Sequence, residues 1–280
     1  MSYTRLLLCT DLDRTLLPNG PQPESPLARE RFARLASHDG IILAYVTGRH
    51  LGLVEQAIYT YKLPTPRFAI TDVGTRIHIR EQTRWRNWDA WTEEIAVDWN
   101  GQNHASLRQL FDDLKPLRLQ ETPKQSQYKL SYYLPVQTDH RKLQLEMQQR
   151  LQQHEICASL VWSVDEPAGI GLLDVLPRRA TKLHAVEFLR RQLGFTHQQT
   201  LFAGDSGNDL EVLASPIPAV LVANATEEVK AEALRCAAIA NHAATLYLAR
   251  GGLHGMNGNY SAGILEGVAH YHPTLKSWAE

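Results

Sequence analysis

The strongest constraint on the fold is a recurrence of short, uninterrupted apolar runs, each closed by a polar turn and followed by a helical pattern. Arg5 to Cys9, Ile41 to Val46 and Phe68 to Thr71 are such runs within the first eighty positions. Continuous apolarity suits strands covered on both faces. Between the first two lies a helical pattern over Ser25 to Ser37, with Leu27, Phe32 and Leu35 to one side and Pro26 near its start. A second, Leu51 to Tyr61, follows the Ile41 run. Strand, helix, strand, helix, strand with short links is the order of a parallel, doubly wound sheet. The pattern returns near the end, where Leu172 to Leu176, Thr200 to Ala203 and Ala219 to Ala223 read as strands and Thr181 to Leu193 as an amphipathic helix.

The middle departs from this rhythm. From about Arg84 to Gly169 the helical stretches are longer (Trp88 to Trp99, Ala105 to Leu114, His140 to His154), and Tyr128 to Tyr133 alternates like a half-buried strand. The expected fold class is therefore α/β, a doubly wound parallel-sheet (Rossmann-like) core with an inserted α+β domain. The expected division is a core over residues 1–82 and 172–280 and an insertion over 83–171. Insertion at a surface loop is well tolerated. Five of the six tryptophans lie in the insertion, and Trp85, Trp88 and Trp91 follow helical spacing, which reads as core rather than as a stacking surface for a ligand.

Composition narrows the partners. With 44% apolar and 21% charged residues among 280, the chain is globular rather than disordered or collagen-like. Twenty-nine Lys and Arg against 30 Asp and Glu leave a net charge of -1 with no block of one sign, which argues against nucleic acid. No run nears the roughly 18 apolar residues of a membrane helix, and acids follow the short first run at once, so a cytoplasmic location is expected. Cys9, Cys157 and Cys236 stand at unrelated spacings and read as buried thiols of a reducing compartment.

Four polar constellations follow four of the predicted elements. Asp11 and Asp13 come straight after the first strand, where alternation turns both to one side at the carboxyl end, the ligand-binding edge of such sheets. Two adjacent carboxylates repel unless they share a cation, which implies a divalent metal, most simply Mg²⁺; an Asp turn capping the next segment is the alternative. Thr47, Gly48 and Arg49 end the second strand, where a hydroxyl and an unhindered amide can cradle a phosphoryl oxygen, although a Thr-Gly pair alone is an ordinary strand-to-helix turn. Lys182 opens a helix against its macrodipole and calls for a compensating anion, while Arg178 and Arg179 before it read as solvated. Asp205, Asn208 and Asp209 follow the Thr200 strand in a Gly-rich turn and suggest a metal ligand with an acid that supports it. Together they supply what phosphoryl transfer needs.

Asp11-Leu12-Asp13-Arg14-Thr15, Thr47-Gly48-Arg49, Lys182 and Gly204 to Asp209 resemble, in order and spacing, the four motifs of the haloacid dehalogenase-like hydrolases. The insertion resembles the large C2 cap of their sugar-phosphatase branch. Thr71 to Thr75, Lys129 to Tyr132, Leu173 to Pro177 and Ser261 to Gly267 are similar to the sucrose-6-phosphate phosphatases. Three places depart: Arg14 stands where those enzymes usually have Asn, Leu183 where Gly is usual, and Gly169 to Leu172 is unusually apolar for the surroundings of a sugar.

The resemblance implies a phosphatase acting on a phosphorylated disaccharide, sucrose 6-phosphate first. Asp11 is then the nucleophile that forms an aspartyl-phosphate, and Asp13 the acid and base. Mg²⁺ is held by Asp11, the Asp13 main-chain carbonyl and Asp205 with support from Asp209, and Thr47, Gly48, Asn208 and Lys182 hold the phosphoryl oxygens. Arg49 joins the substrate-binding set, and Lys129, Ser131 and Asp174 are candidates for sugar hydroxyls. Mannosylfructose phosphate or a smaller phosphosugar is the alternative substrate, and a non-catalytic partner of a sugar-phosphate synthase is the alternative role; an active phosphatase could also associate with such a synthase. A glycosyltransferase would place its Asp pair after several strands, and a phospho-receiver would be shorter and lack the insertion.

Overall fold

A computed structural model of the protein describes residues 5–165 and 168–279. The chain divides into two compact units, one made of residues up to Asn87 and from Lys182 onward, the other of Trp88–Thr181.

The first unit opens with β1 (Leu6–Thr10), α1 (Ala28–Ala36), β2 (Ile41–Val46), α2 (Leu51–Tyr61) and β3 (Phe68–Thr71), followed by the hairpin strands β4 (Arg76–Glu81) and β5 (Arg84–Asn87). The second unit holds α3 (Asp89–Ala96), α4 (His104–Gln109), β6 (Arg118–Leu119), β7 (Leu130–Pro135), α5 (His140–Gln153), β8 (Ala158–Asp165) and β9 (Ile170–Pro177). The chain then returns to the first unit through α6 (Lys182–Gln192), β10 (Thr200–Gly204), α7 (Leu210–Leu213), β11 (Ala219–Leu221), α8 (Glu227–Ile239), β12 (Leu246–Leu248) and α9 (Ser261–Tyr271).

The large sheet runs β12-β11-β10-β1-β2-β3-β4-β5, parallel from β12 to β3 and antiparallel across β4 and β5. Every residue of β1 is buried, as its unbroken apolar run requires. On one face Leu6, Leu8, Leu43, Tyr45, Leu201 and Val220 share a core with Phe32 and Leu35 of α1 and with Ile264, Leu265 and Val268 of α9. Period-2 alternation sends Leu7 and Cys9 to the other face, where α6 packs on β3 and α7 on β10 and β11. Helices thus cover both faces. Strand order reverses about β1, so the loops after β1, β2 and β10 diverge at a topological switch point, where sheets of this class bind ligands.

The second unit is an antiparallel sheet, β6-β7-β9-β8. Its core gathers Leu130, Tyr132, Leu134, Leu173 and Val175 with Trp99, Leu107, Phe111, Met147 and Leu151. Alternating Leu130-Ser131-Tyr132 therefore sends Ser131 to the opposite face from the core residues.

Several expectations need correction. The divisions fall at residues 87/88 and 181/182 rather than 82/83 and 171/172. β5 pairs with β4 and so closes the large sheet, and the Leu172 strand is not a core strand but part of β9, the middle partner of β7 and β8. Trp85, Trp88 and Trp91 share no helix: Trp85 lies on β5 under the Arg80 guanidinium, 5.3 Å from its ring, Trp88 precedes α3, and Trp91 alone of the three is fully buried. Of the cysteines only Cys9 is buried, while Cys157 is exposed and Cys236 half-buried. The apolar Gly169 to Leu172 run has a packing reason. Trp162 packs against Gly171, where a Cβ would fall 2.0 Å from the indole, and His140 stacks on Trp162 at 4.5 Å. No helix among the described residues is long and apolar enough to cross a membrane.

Candidate active site

β1 ends at Thr10, and Asp11 follows with its main-chain amide donating to Ala203 O at 2.9 Å, which fixes the loop beside β10. The strand does not continue. Leu12 turns into the core while its carbonyl accepts from the amides of Thr15, Leu16 and Leu17, and Arg14 adopts a left-handed conformation with φ 57°. Asp11 and Asp13 accordingly leave the strand with different side-chain partners, Lys182 for Asp11 and Arg49 with Asn19 for Asp13.

Asp11 is buried and receives the Lys182 ammonium, Nζ to Oδ1 3.1 Å. Lys182 also donates to Asp209 Oδ1 at 2.7 Å and Asn208 Oδ1 at 2.9 Å, so all three of its protons are used. The compensating anion that its place at a helix start demands is supplied by the protein itself, by Asp11 and Asp209. Despite its burial, those two carboxylates hold the lysine well above the usual range.

Asp209 is fully buried. Its Oδ2 accepts from the amides of Asp205 and Ser206 at 3.1 and 3.2 Å, which closes the Gly204-Asp205-Ser206 turn around it. Gly204 is required here by space, because a Cβ would meet the Asp209 carboxyl carbon at 2.6 Å. Asp205, also buried, accepts Thr15 Oγ1 at 3.0 Å and faces Arg14 Nε at 3.5 Å.

Oxygens of Asp11, Asp205 and Asp209 lie within 4.8 Å of one another. Burial pushes the Asp11 carboxyl up to about 7 despite the pull of Lys182, and burial with the neighbouring Asp209 raises Asp205 to about 6. The cations present do not fully offset three crowded carboxylates. A hard divalent cation with oxygen ligands would fit this donor set, and Mg²⁺ suits it.

Asp13 stands outside that group, half-exposed. Arg49 grips it with two hydrogen bonds, 2.7 Å from Nε and 2.5 Å from Nη2, and Asn19 Nδ2 adds a third at 2.7 Å. Against the opposing effect of partial burial, these contacts hold its carboxyl below the usual range. Arg49, expected to face substrate, is in this structure the partner of Asp13.

Thr47 is buried at the end of β2, with Gly48 exposed beyond it. The loop is fastened from β3: Val73 N donates to Thr47 O at 3.3 Å and Asp72 N to Arg49 O at 3.0 Å. Both donors are left-handed, Asp72 at φ 52° and Val73 at φ 61°. For a β-branched residue this costs about 1–2 kcal/mol, held by the surrounding bonds. Beneath the turn, buried His78 sits 3.1 Å from Thr71 Oγ1, and burial with the nearby Arg76 lowers its pKa to about 4.

In the second unit the strands bring Lys129, Ser131 and Asp174 together. Ser131 lies opposite Asp174 in the β7–β9 register, and Lys129 Nζ is 3.8 Å from Asp174 Oδ2. Ser131 is wholly covered and donates to Lys124 O at 3.3 Å, so it holds that loop rather than facing outward. Arg179, expected to be solvated, pairs with buried Asp98: its amide donates to Oδ2 at 2.6 Å and Nε lies 3.5 Å from Oδ1. Sequence reasoning missed Asn19 and Asn224 and assigned no role to Thr15, Asp72 and Val73 within the motifs that contain them. Their signal was position, since each follows a strand end of the large sheet.

A profile of the sucrose-6F-phosphate phosphohydrolase family matches residues 4–272. The chain belongs to that family. Its members are phosphohydrolases of the haloacid dehalogenase-like class. The chain is 57% identical over 276 residues, 99% of its length and 74% of the relative's, to a protein of Nitrosococcus oceani named only as a HAD-like hydrolase. It is 29% identical over 233 residues to sucrose-phosphatase 2 of Nicotiana tabacum, a match covering 81% of this chain and 52% of that one. The chain thus spans about half the length of that plant relative. The fold matches the Synechocystis sucrose-phosphatase solved with sucrose and phosphate, with TM-score 0.72, 25% identity and coverage of 95% and 98% of the two chains.

Proposed function

We propose that the protein is a Mg²⁺-dependent phosphatase that releases phosphate from a phosphorylated disaccharide, sucrose 6-phosphate in the first instance, through an aspartyl-phosphate on Asp11. The observation that carries this reading is the buried Asp11 carboxylate held against Lys182 beside Asp205 and Asp209, in a family of phosphohydrolases.

Asp11 attacks phosphorus in line and displaces the sugar oxygen, which splits one difficult hydrolysis into two displacements. Lys182 offsets the charge that collects on the phosphoryl oxygens, while the Thr47 hydroxyl, the Gly48 amide and Asn208 orient them. The Asp11 and Asp205 carboxylates and the Asp13 main-chain carbonyl would hold Mg²⁺, with Asp209 fixing the turn behind them. Once bound, the ion supplies charge neutralisation between nucleophile and phosphoryl group. Asp13 gives its proton to the leaving sugar oxygen and later takes one from the water that attacks the aspartyl-phosphate. In the resting site Arg49 keeps Asp13 ionised; an arriving phosphoryl group competes for that guanidinium and frees Asp13 to carry a proton. In the second unit Lys129 and Asp174 read sugar hydroxyls, with Ser131 positioning the loop that carries Lys124.

The test is phosphate release with Mg²⁺ from sucrose 6-phosphate, mannosylfructose phosphate and glucose 6-phosphate, beside Asp11→Asn. Turnover of sucrose 6-phosphate that the variant lacks is the expected result. Preference for another sugar keeps the chemistry and removes the substrate, and no release from any of them removes both.

A further inference from the structure

Arg14 is the one residue of the first loop whose backbone and side chain are both unusual. Its φ of 57° belongs to the left-handed region that favours Gly and Asn. The conformation is enforced from both sides, by Arg14 N donating to Asn19 Oδ1 at 2.8 Å and by Asn224 Nδ2 donating to Arg14 O at 2.6 Å. Asn224 in turn accepts from Tyr260 N at 2.8 Å, which anchors it to the start of α9. An arginine is thereby fixed where a smaller residue would sit more comfortably.

The side chain runs to the carboxylate cluster. Its Nε is buried without a hydrogen-bond partner, yet lies 3.5 Å from Asp205 Oδ2. The side chain as a whole is 39% exposed, but a covered donor atom left unbonded is uncommon and calls for an explanation. Here the charge is close enough to attract Asp205, but no aligned bond ties up the carboxylate oxygen. Thr15 holds the other oxygen, Oδ1.

The geometry points to Arg14 as a resident counter-cation of Asp205, one that weakens the hold of the Asp11, Asp205 and Asp209 cluster on a divalent metal. With Lys182 and Arg14 the three carboxylates carry a formal charge of one negative; without Arg14 they carry two, and attraction for a doubly charged ion rises accordingly. Arg14 thereby offsets part of the negative charge that the cluster would offer to a divalent ion. This inference rests on the reading of the cluster as a metal site.

Calorimetric titration of Mg²⁺ into the full chain at pH 8, wild type beside Arg14→Asn and Arg14→Lys, tests it. Asn suits the left-handed backbone and removes the charge, so Arg14→Asn is expected to bind Mg²⁺ on the order of tenfold more tightly. Arg14→Lys, which keeps the charge, is expected to stay near wild type. Melting in EDTA separates the two effects of the Asn variant, since relief of backbone strain raises the metal-free melting temperature without touching affinity. Mg²⁺ binding by the wild type with equal or weaker binding by Arg14→Asn overturns the role of Arg14 alone. No Mg²⁺ binding by any of the three overturns the metal site, and this inference with it.

Discussion

The two units each set a lysine against acid, two carboxylates in the first and one in the second, and they do so in contrasting ways. In the first, Lys182 meets Asp11 and Asp209 at 3.1 and 2.7 Å, with side-chain exposures of 3%, 6% and 0%. The partners come from segments far apart in sequence, and both carboxylate oxygens of Asp209 are engaged. In the second, Lys129, just before β7, and Asp174, on β9, stand 3.8 Å apart, exposed by 10% and 20%. The first arrangement fixes charge in advance, which suits chemistry on one invariant group; the second leaves its charges room to move, which suits recognition of a varied one.

Substitutions can break this contrast. Asp11→Asn is expected to lower phosphate release by about 10³-fold or more with the fold intact by circular dichroism, whereas Asp174→Ala should mainly raise KM. An equal loss of kcat in both would erase the distinction. Lys182→Ala leaves two carboxylates buried without their cation and is expected to cost about 3–5 kcal/mol in urea unfolding. Lys129→Ala leaves one largely covered carboxylate without its cation and should cost less, about 1–3 kcal/mol, and a loss as large as that of Lys182→Ala would show the second cluster to be as rigid as the first.

His78 sharpens the comparison through pH. Its pKa is lowered to about 4, so between pH 6.5 and 4 the unfolded chain takes up the proton more readily than the folded one. Stability therefore falls as pH drops through that window, by at most about 3 kcal/mol, and His78→Gln should flatten the dependence seen in melting temperature. Two glycines test the packing in each unit. Gly204→Ala forces Asp209 aside and Gly171→Ala forces Trp162 aside, each at about 1–3 kcal/mol. Only the first should also slow phosphate release, and an active Gly204→Ala enzyme would mean that Asp209 need not be held where it is.

The elements of the first unit were legible because their cause is local. β2, α2 and β3 begin and end where the apolar runs and helical spacing place them. β9 was misassigned because a central antiparallel strand, Ile170 to Pro177, carries the same dense apolar signal as a parallel one, and nothing local names its neighbours. The strand-end positions of Asp11, Thr47 and Asp205 could be read from the pattern, but the pairing of Asp13 with Arg49 could not. It depends on the chain leaving its strand at Thr10 and turning left-handed at Arg14, and alternation carries no signal of either. The helical spacing of Trp85, Trp88 and Trp91 misled for a related reason: a hairpin ends between them.

β1 takes one neighbour from the next strand in sequence and the other from β10, where Thr10 pairs with Ala203. On a ribosome adding about 5–20 residues per second, roughly 10–40 s separate the emergence of the two. For that interval a strand whose every residue is destined for the interior has a bare edge, ready to pair with any other extended chain. A nascent polypeptide of this architecture therefore needs shielding longest at the strand that will carry Asp11, and crowded synthesis should lose it to aggregation there first.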